Sequence, residues 1–200
     1  QIVFPEINYD RIAKIRGICM GGGVGLSVHG AHRVVSETLV MAMPETAIGY
    51  FPDIGASHFL NAAPGLTGLY LGLTGERLGA ADALYCGLAT ACVRADAWAQ
   101  IRAALSNGGD IAEVIARLAV RPSPGPVERN RVVIDRCFEA KNVETIMTRL
   151  AEDGGAFAAG ALEKMQYASP ASLRVTLDLL RGARGRSLAE CLQIELELAK

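Results

Sequence analysis

Residues 19–55 read CMGGGVGLSVHGAHRVVSETLVMAMPETAIGYFPDIG. Three consecutive glycines, Gly21 to Gly23, stand where an apolar strand gives way to a short helical pattern. Two carboxylates follow, Glu45 and Asp53, each set among apolar and turn-forming residues and outside any charged run. Glycine lets a backbone approach a ligand closely, and a helix start leaves N–H groups without intrahelical acceptors. Glycines followed by two isolated acids therefore read as a site, and the flanking chain reads as its scaffold.

Upstream, RIAKIRGICM (residues 11–20) sets Ile12, Ile15 and Ile18 between charges and predicts one strand running into the glycines. A short helix is expected over Val24 to His29, ended by Gly30. His32 to Ser36 and Leu39 to Met43 read as strands, the second closed by Pro44. IGYFPDIG (48–55) holds Gly49, Pro52 and Gly55 and is a loop by its turn chemistry. Short helices at 56–62, 65–73 and 80–86 and a strand at 88–93 complete this half.

After residue 95 helical periods follow one another: 96–106, 110–119, 127–140, 142–152, 156–167, 170–183 and 187–199. Asp110 precedes one of them as a cap, and Ser187 with Glu190 forms a capping-box pattern. Leu188, Leu192 and Leu196 predict the apolar face of the last helix, and Trp98 with Ile101 and Leu105 that of an earlier one. Residues 1–95 thus read as an α/β core, and 96–200 as a helical region packed on it.

Composition narrows the function classes. Half the residues are hydrophobic and a fifth charged, enough apolar material for a core and too little charge for disorder. A net charge of −1 gives no electrostatic footprint for nucleic acid, and RGARGR (181–186) reads as a solvated linker. The five cysteines are odd in number, contain no C-x-x-C and lie among apolar neighbours, which predicts buried thiols in a reducing, cytoplasmic setting. No apolar run is long enough to cross a bilayer, so no membrane partner is expected. Pro5, Glu6 and Asp10 interrupt any signal-peptide pattern.

The glycine run fits none of the common phosphate motifs. G-x-x-x-x-G-K-[ST] is absent, and Leu26 stands where G-x-G-x-x-G needs its third glycine. The nucleophile elbow G-x-S-x-G fails because His29 replaces its last glycine, and Ser27 falls mid-helix. Two readings stay open on the glycines alone: a donor turn for a developing oxyanion, or a tight turn for close helix–strand packing. His29 and His32 lack a third ligand at suggestive spacing, so no metal is expected; His58 lies within reach of the loop without being singled out. Glu45 and Asp53 each read either as a desolvated acid suited to proton transfer or as a local cap.

GICMGGGVGLSVHG, MAMPETAIGYFPDIG and LTGERLGAADALYCGLAT together closely resemble the crotonase (enoyl-CoA hydratase/isomerase) superfamily, in its 3-hydroxyisobutyryl-CoA hydrolase branch. SPASLRVTL and SLAECLQIELELA are similar to that branch's C-terminal helices. The resemblance implies a spiral of ββα units followed by helices that mediate homo-oligomers. It implies an acyl-CoA substrate, with no cofactor beyond the CoA of the substrate itself. It places one oxyanion donor on the N–H of Gly22, the other lying earlier in the family chain.

Enoyl-CoA hydratases use two glutamates. Gly25 stands at the first position and Glu45 at the second. Asp53 occupies a place where hydratases have glycine, and the hydrolase branch has the Glu45-plus-Asp53 arrangement. The implied activity is thioester hydrolysis in valine breakdown, with Glu45 as base or nucleophile and Asp53 orienting the substrate hydroxyl or handling the proton. Hydration or isomerisation in the same superfamily, and non-catalytic acyl-CoA binding, are the alternatives. In a eukaryote the location implied is the mitochondrial matrix. The lead-in INYDRIAKIRG departs from the family, which has Pro where Asp10 stands, and most of the CoA-binding surface is expected from outside this chain.

Overall fold

A computed structural model describes residues 12–200, so Asp10 and the first part of the altered lead-in, residues 7–11, lie outside the described residues. The expected single strand over 11–20 is two strands. β1 (Ile12–Ile15) and β2 (Ile18–Met20) enter different sheets. Gly17, at φ 64°, makes the break, in a backbone region that L side chains seldom adopt.

β1 runs parallel to β3 (His32–Ser36), with Ile12 opposite His32, and β3 runs parallel to β5 (Ala91–Val93). β2 runs parallel to β4 (Val40–Ala42), with Ile18 opposite Val40. Parallel neighbours need a crossover, and α1 (Gly22–Ser27) supplies the first. The first two turns of chain therefore each give one strand to each sheet and then a helix, the ββα spiral expected, and β5 adds a third strand to the larger sheet.

Side chains alternate across a strand, so the β1–β3–β5 sheet faces two cores. Val35 joins Ile15 and Cys92 in the main apolar cluster. Val34 joins Val93, Trp98 and Ile101 in a smaller one. Both valines are fully buried, as expected of a central parallel strand. The main cluster runs from Ile15 to Leu180 and so joins the spiral to the helices that follow it.

Short helices continue the chain: α2 (Ala56–Phe59), α3 (Thr67–Thr74) and α4 (Ala80–Tyr85). β5 is shorter than expected because the N–H groups of Leu88 and Ala89 both return to the Ala83 carbonyl at the end of α4. The helical region holds α5 (Trp98–Ser106) and α6 (Ile111–Leu118). The expected helix at 127–140 is split into α7 (Pro126–Arg129) and α8 (Arg131–Phe138). At the break, the Asn130 side chain donates to the Pro126 carbonyl at 2.8 Å, competing with the backbone ladder.

α9 (Val143–Asp153), α10 (Ala156–Tyr167), α11 (Pro170–Gly182) and α12 (Leu188–Leu198) follow. Asp110 caps α6, and Ser187 with Glu190 forms a complete capping box on α12. The basic 181–186 segment is not purely a linker: Arg181 belongs to α11 and donates to the Ala140 and Lys141 carbonyls beyond α8. All five cysteines are free, and only Cys19 is not fully buried. Among the described residues no helix is long and apolar enough to cross a membrane.

Candidate active site

The glycine turn is built at the end of β2. Gly21 has φ 52° and ψ −123°, open to glycine alone, and its N–H is used by the Ala42 carbonyl of β4 at 3.0 Å. The turn is therefore tied to the sheet through Gly21. The N–H groups of Gly22 and Gly23 open α1, where no intrahelical carbonyl accepts them. Gly22, the donor position implied by the resemblance, is thus the first N–H left over once the sheet has taken Gly21.

Glu45 stands against this turn. It follows Pro44 at the end of β4 and opens a 3-10 turn, Glu45–Ile48, closed by left-handed Gly49. A Cβ on Gly21 would lie 2.8 Å from Glu45 Oε1, so the glycine makes room for the carboxyl. Glu45 is only 7% exposed, and its Oε2 is buried with no hydrogen-bond partner among the described residues. Burial pushes its pKa up to about 7; its own backbone N–H offsets part of this, and the Asp53 charge adds to it. A carboxyl poised near neutrality, with one oxygen free of partners, can take a proton from water and return it.

Asp53 lies in the loop after Phe51 and Pro52 and is half-buried, its pKa raised chiefly by burial. The next residue carries no signal in the sequence. Ile54 has φ 56°, the one non-glycine with positive φ among the described residues. A β-branched residue there carries a strain of about 1–3 kcal/mol. Its side chain fills the space beside Gly25, where a Cβ would meet Ile54 Cβ and Cγ2 at 2.6 Å. Gly25 and Ile54 are therefore one interlock, and position 25 has no room for a side chain of any length.

Glu195 was also missed. The predicted face of α12 is corrected: Leu196 is 47% exposed, and Cys191 and Glu195 point inward. Positions four apart drift by about 40° per step, so three leucines at that spacing do not share one face for long. Glu195 Oε2 accepts the Gly55 N–H at 2.7 Å. Its Oε1 accepts the Ser57 N–H at 2.9 Å and the Ser57 hydroxyl at 2.6 Å. The only hint in the sequence is that Glu195 stands one helical turn after Cys191, and Gln193 and Glu197 beside it dilute that signal.

The other polar candidates have structural duties. The Ser27 hydroxyl donates back to the Gly23 and Val24 carbonyls at 2.9 and 3.0 Å, which spends it within its own helix. His29 Nε2 lies 3.4 Å from the Ile54 carbonyl, and its ring meets Phe59 edge-on. His32 lies in β3 and His58 in α2. Among the described residues no group of three or more His, Cys, Asp or Glu is placed to hold a metal. The structure thus brings Gly22, Glu45 and Asp53 to one place, with Ile54 and Gly25 as its wall and Glu195 behind the loop.

A family model described as enoyl-CoA hydratase/isomerase matches residues 5–200. 3-Hydroxyisobutyryl-CoA hydrolase 1 of Arabidopsis thaliana is 39% identical over 201 residues, covering 95% of this chain and 53% of that protein. The mitochondrial 3-hydroxyisobutyryl-CoA hydrolase of Homo sapiens is 39% identical over 199 residues, covering 94% of this chain and 52% of its own length. The chain spans about half the length of these relatives.

A crystal structure of a carnitinyl-CoA dehydratase from Mycobacterium thermoresistibile superposes with a TM-score of 0.88 at 36% identity, over 92% of this chain and 54% of that one. An enoyl-CoA hydratase from Rhodobacter sphaeroides 2.4.1 gives 0.84 at 37%, over 92% and 53%. The ββα spiral is shared with both, the family match spans nearly the whole sequence, and the chain belongs to the enoyl-CoA hydratase/isomerase family, with its crotonase-like fold.

Proposed function

We infer that the protein hydrolyses an acyl-CoA thioester and that its substrate is 3-hydroxyisobutyryl-CoA, an intermediate of valine breakdown. The observation that supports this most is the seal on position 25: Glu45 faces the donor turn, and Ile54 closes the position where a hydratase needs its other glutamate. Adding water across a C=C bond calls for both an acid and a base placed on the substrate. Attack on a thioester carbonyl can proceed with one group that takes a proton and gives it back.

In this reading the Gly22 N–H bonds the thioester carbonyl oxygen and stabilises the oxyanion as it forms. Water adds to the carbonyl carbon while its proton passes to Glu45. The C–S bond then breaks, and the proton on Glu45 goes to the departing CoA sulfur. Direct attack by Glu45, giving an acyl-enzyme that water later cleaves, balances equally well and remains the second route. Asp53 holds the 3-hydroxyl of the acyl group or relays the proton. No resident cofactor enters either route.

The names of the two aligned hydrolases support the substrate. Those of the two crystal structures favour hydration as the rival. The test measures free thiol from 3-hydroxyisobutyryl-CoA against hydration of crotonyl-CoA, with the intact protein. Thiol release is expected; hydration without it overturns the reading, and acyl-CoA binding with neither activity points to a binding protein. We place the enzyme in the cytoplasm, or in the mitochondrial matrix of a eukaryote, as a homo-oligomer joined through its helical region. Sedimentation of the purified protein as a monomer removes the last of these.

A further inference from the structure

We propose that Glu195 is a positioning residue: from the last helix it holds the Asp53–Gly55 turn against α1 and so fixes where Asp53 stands relative to Glu45. The proposal rests on the site reading above.

Three donors converge on this one carboxyl. Gly55 N–H reaches Oε2, and Ser57 N–H and hydroxyl reach Oε1, at 2.6–2.9 Å. Glu195 is 4% exposed and lies 138–140 residues along the chain from its partners, so the contact ties the last helix to the loop before α2. Gly55 is enclosed as well: a Cβ there would meet Leu188 Cδ1 and His29 Nε2, both at 2.9 Å. The turn is thus gripped between α12 on one side and the end of α1 on the other.

The turn needs gripping. Ile54 sits in the left-handed region, which a β-branched residue leaves unless its surroundings forbid it. Ala56 N–H closes the turn onto the Asp53 carbonyl at 3.1 Å, so Asp53 and Ile54 move together. If Ile54 relaxes, its side chain leaves Gly25 and Asp53 turns with it.

A purely structural contact would not call for a buried acid. α12 already packs through Leu188 and Cys191, and buried carboxyls are expensive unless every lone pair is used. What the acid adds over an apolar residue is direction: it fixes two backbone N–H groups of the turn, and with them its rotation.

The experiment uses the intact protein and four variants: Glu195→Gln, Glu197→Gln as an exposed control on the same helix, Glu195→Gln combined with Ile54→Gly, and Ile54→Val for assignment. Glutamine keeps the shape but turns one acceptor into a donor facing an N–H. Thiol release gives kcat and KM. A 13C-methyl spectrum follows Ile54 Cδ1, assigned by its loss in Ile54→Val. Glu195→Gln is expected to lower kcat by about 10- to 100-fold, the scale of a misplaced catalytic group, with KM nearly unchanged. The Ile54 resonance moves, and Ile54→Gly restores part of kcat because glycine holds the turn without strain. Glu197→Gln does none of this.

An unshifted Ile54 resonance with kcat within about twofold of wild type overturns the proposal, since a displacement of the kind invoked costs far more. So does a kcat loss that only tracks the unfolded fraction and that Ile54→Gly leaves alone. If wild-type protein releases no thiol, the proposed function falls, and the Ile54 resonance alone decides the positioning. If Glu195→Gln does not fold, Ser57→Ala replaces it, with the same directions at smaller size.

Discussion

Glu45 and Glu195 are buried to nearly the same degree, 7% and 4% exposed, yet the chain treats them in opposite ways. Glu195 is given three donors and both its oxygens are used. Glu45 is placed beside a glycine turn with its Oε2 left without a partner among the described residues. A buried polar atom without a partner costs free energy, so the fold gives up stability at Glu45, and only its own backbone N–H offsets part of that cost. Such an oxygen is available to a substrate or a water. In the proposed mechanism the comparison separates a carboxyl that organises from one that reacts, and burial alone does not distinguish them.

The largest expected effect breaks the comparison at its reactive side. Glu45→Gln keeps the shape and removes the base, so thiol release should fall by about 10³-fold. Stability should move the other way. The folded-state pKa is raised from 4.5 to about 7, so between those values the folded protein binds more protons than the unfolded. Glu45 therefore supports the fold most below pH 4.5, and that support is lost as pH rises through about 7. Glu45→Gln should match wild type at low pH and exceed it above neutrality, by on the order of 2 kcal/mol. Thermal melts from pH 5 to 8.5 check this. Near-normal turnover, or parallel melting curves, would place Glu45 in the same class as Glu195.

Gly25→Glu tests whether the site can be converted to a two-glutamate arrangement. Its Cβ alone would stand 2.6 Å from Ile54 Cβ and Cγ2 and 3.0 Å from the Ile54 carbonyl. Overpacking there should cost about 3 kcal/mol and give no hydration of crotonyl-CoA. Denaturant melts and an absorbance assay for hydration report both. Gain of hydration in a stable Gly25→Glu protein would show that the Ile54 wall yields.

How much of this can be read from the sequence depends on how local each cause is. Glu45 follows Pro44 at a strand end, and the glycine turn lies between strand and helix, so both are visible as pattern. α10 spans 156–167 as its apolar spacing predicts, and the Ser187–Glu190 cap is satisfied within four residues. Gly17 was hidden because nothing local says that Ile12–Ile15 and Ile18–Met20 join different sheets; that depends on β3 and β4 later in the chain. Ile54 was hidden because propensity assigns left-handed positions to glycine, and here packing against Gly25 and the grip on Gly55 override propensity. Glu195 was hidden for the longest-range reason. Its role exists only once α12 lies on α2, 138 residues away in sequence, and its immediate neighbours suggested a leucine face.

Asp53→Asn sharpens the comparison by removing the one neighbouring charge that raises Glu45. Thiol release should fall about 100-fold through loss of substrate orientation or proton relay. Its pH profile is the more specific readout. The acid limb of kcat/KM reports the essential base in the free enzyme, so wild type should reach half its plateau at about pH 7, with the rate rising as Glu45 loses its proton. Without the Asp53 charge the proton leaves more easily, and the limb should move to lower pH. A limb that stays in place would mean that Asp53 acts on the substrate alone.

The smallest effect comes from moving Glu195 one step toward the condition of Glu45. Ser57→Ala removes one of three donors to Glu195 and leaves the two backbone N–H groups in place. Since both oxygens keep a partner, the loss should be about 1 kcal/mol of stability, the ordinary worth of one hydrogen bond. A loss well above that in urea melts would mean that the hydroxyl, rather than the two N–H groups, holds the carboxyl in place. The asymmetry with Glu45 is then quantitative. A carboxyl with redundant donors tolerates the loss of one, whereas a carboxyl with one bare oxygen, in the proposed mechanism, controls the chemistry through its single proton.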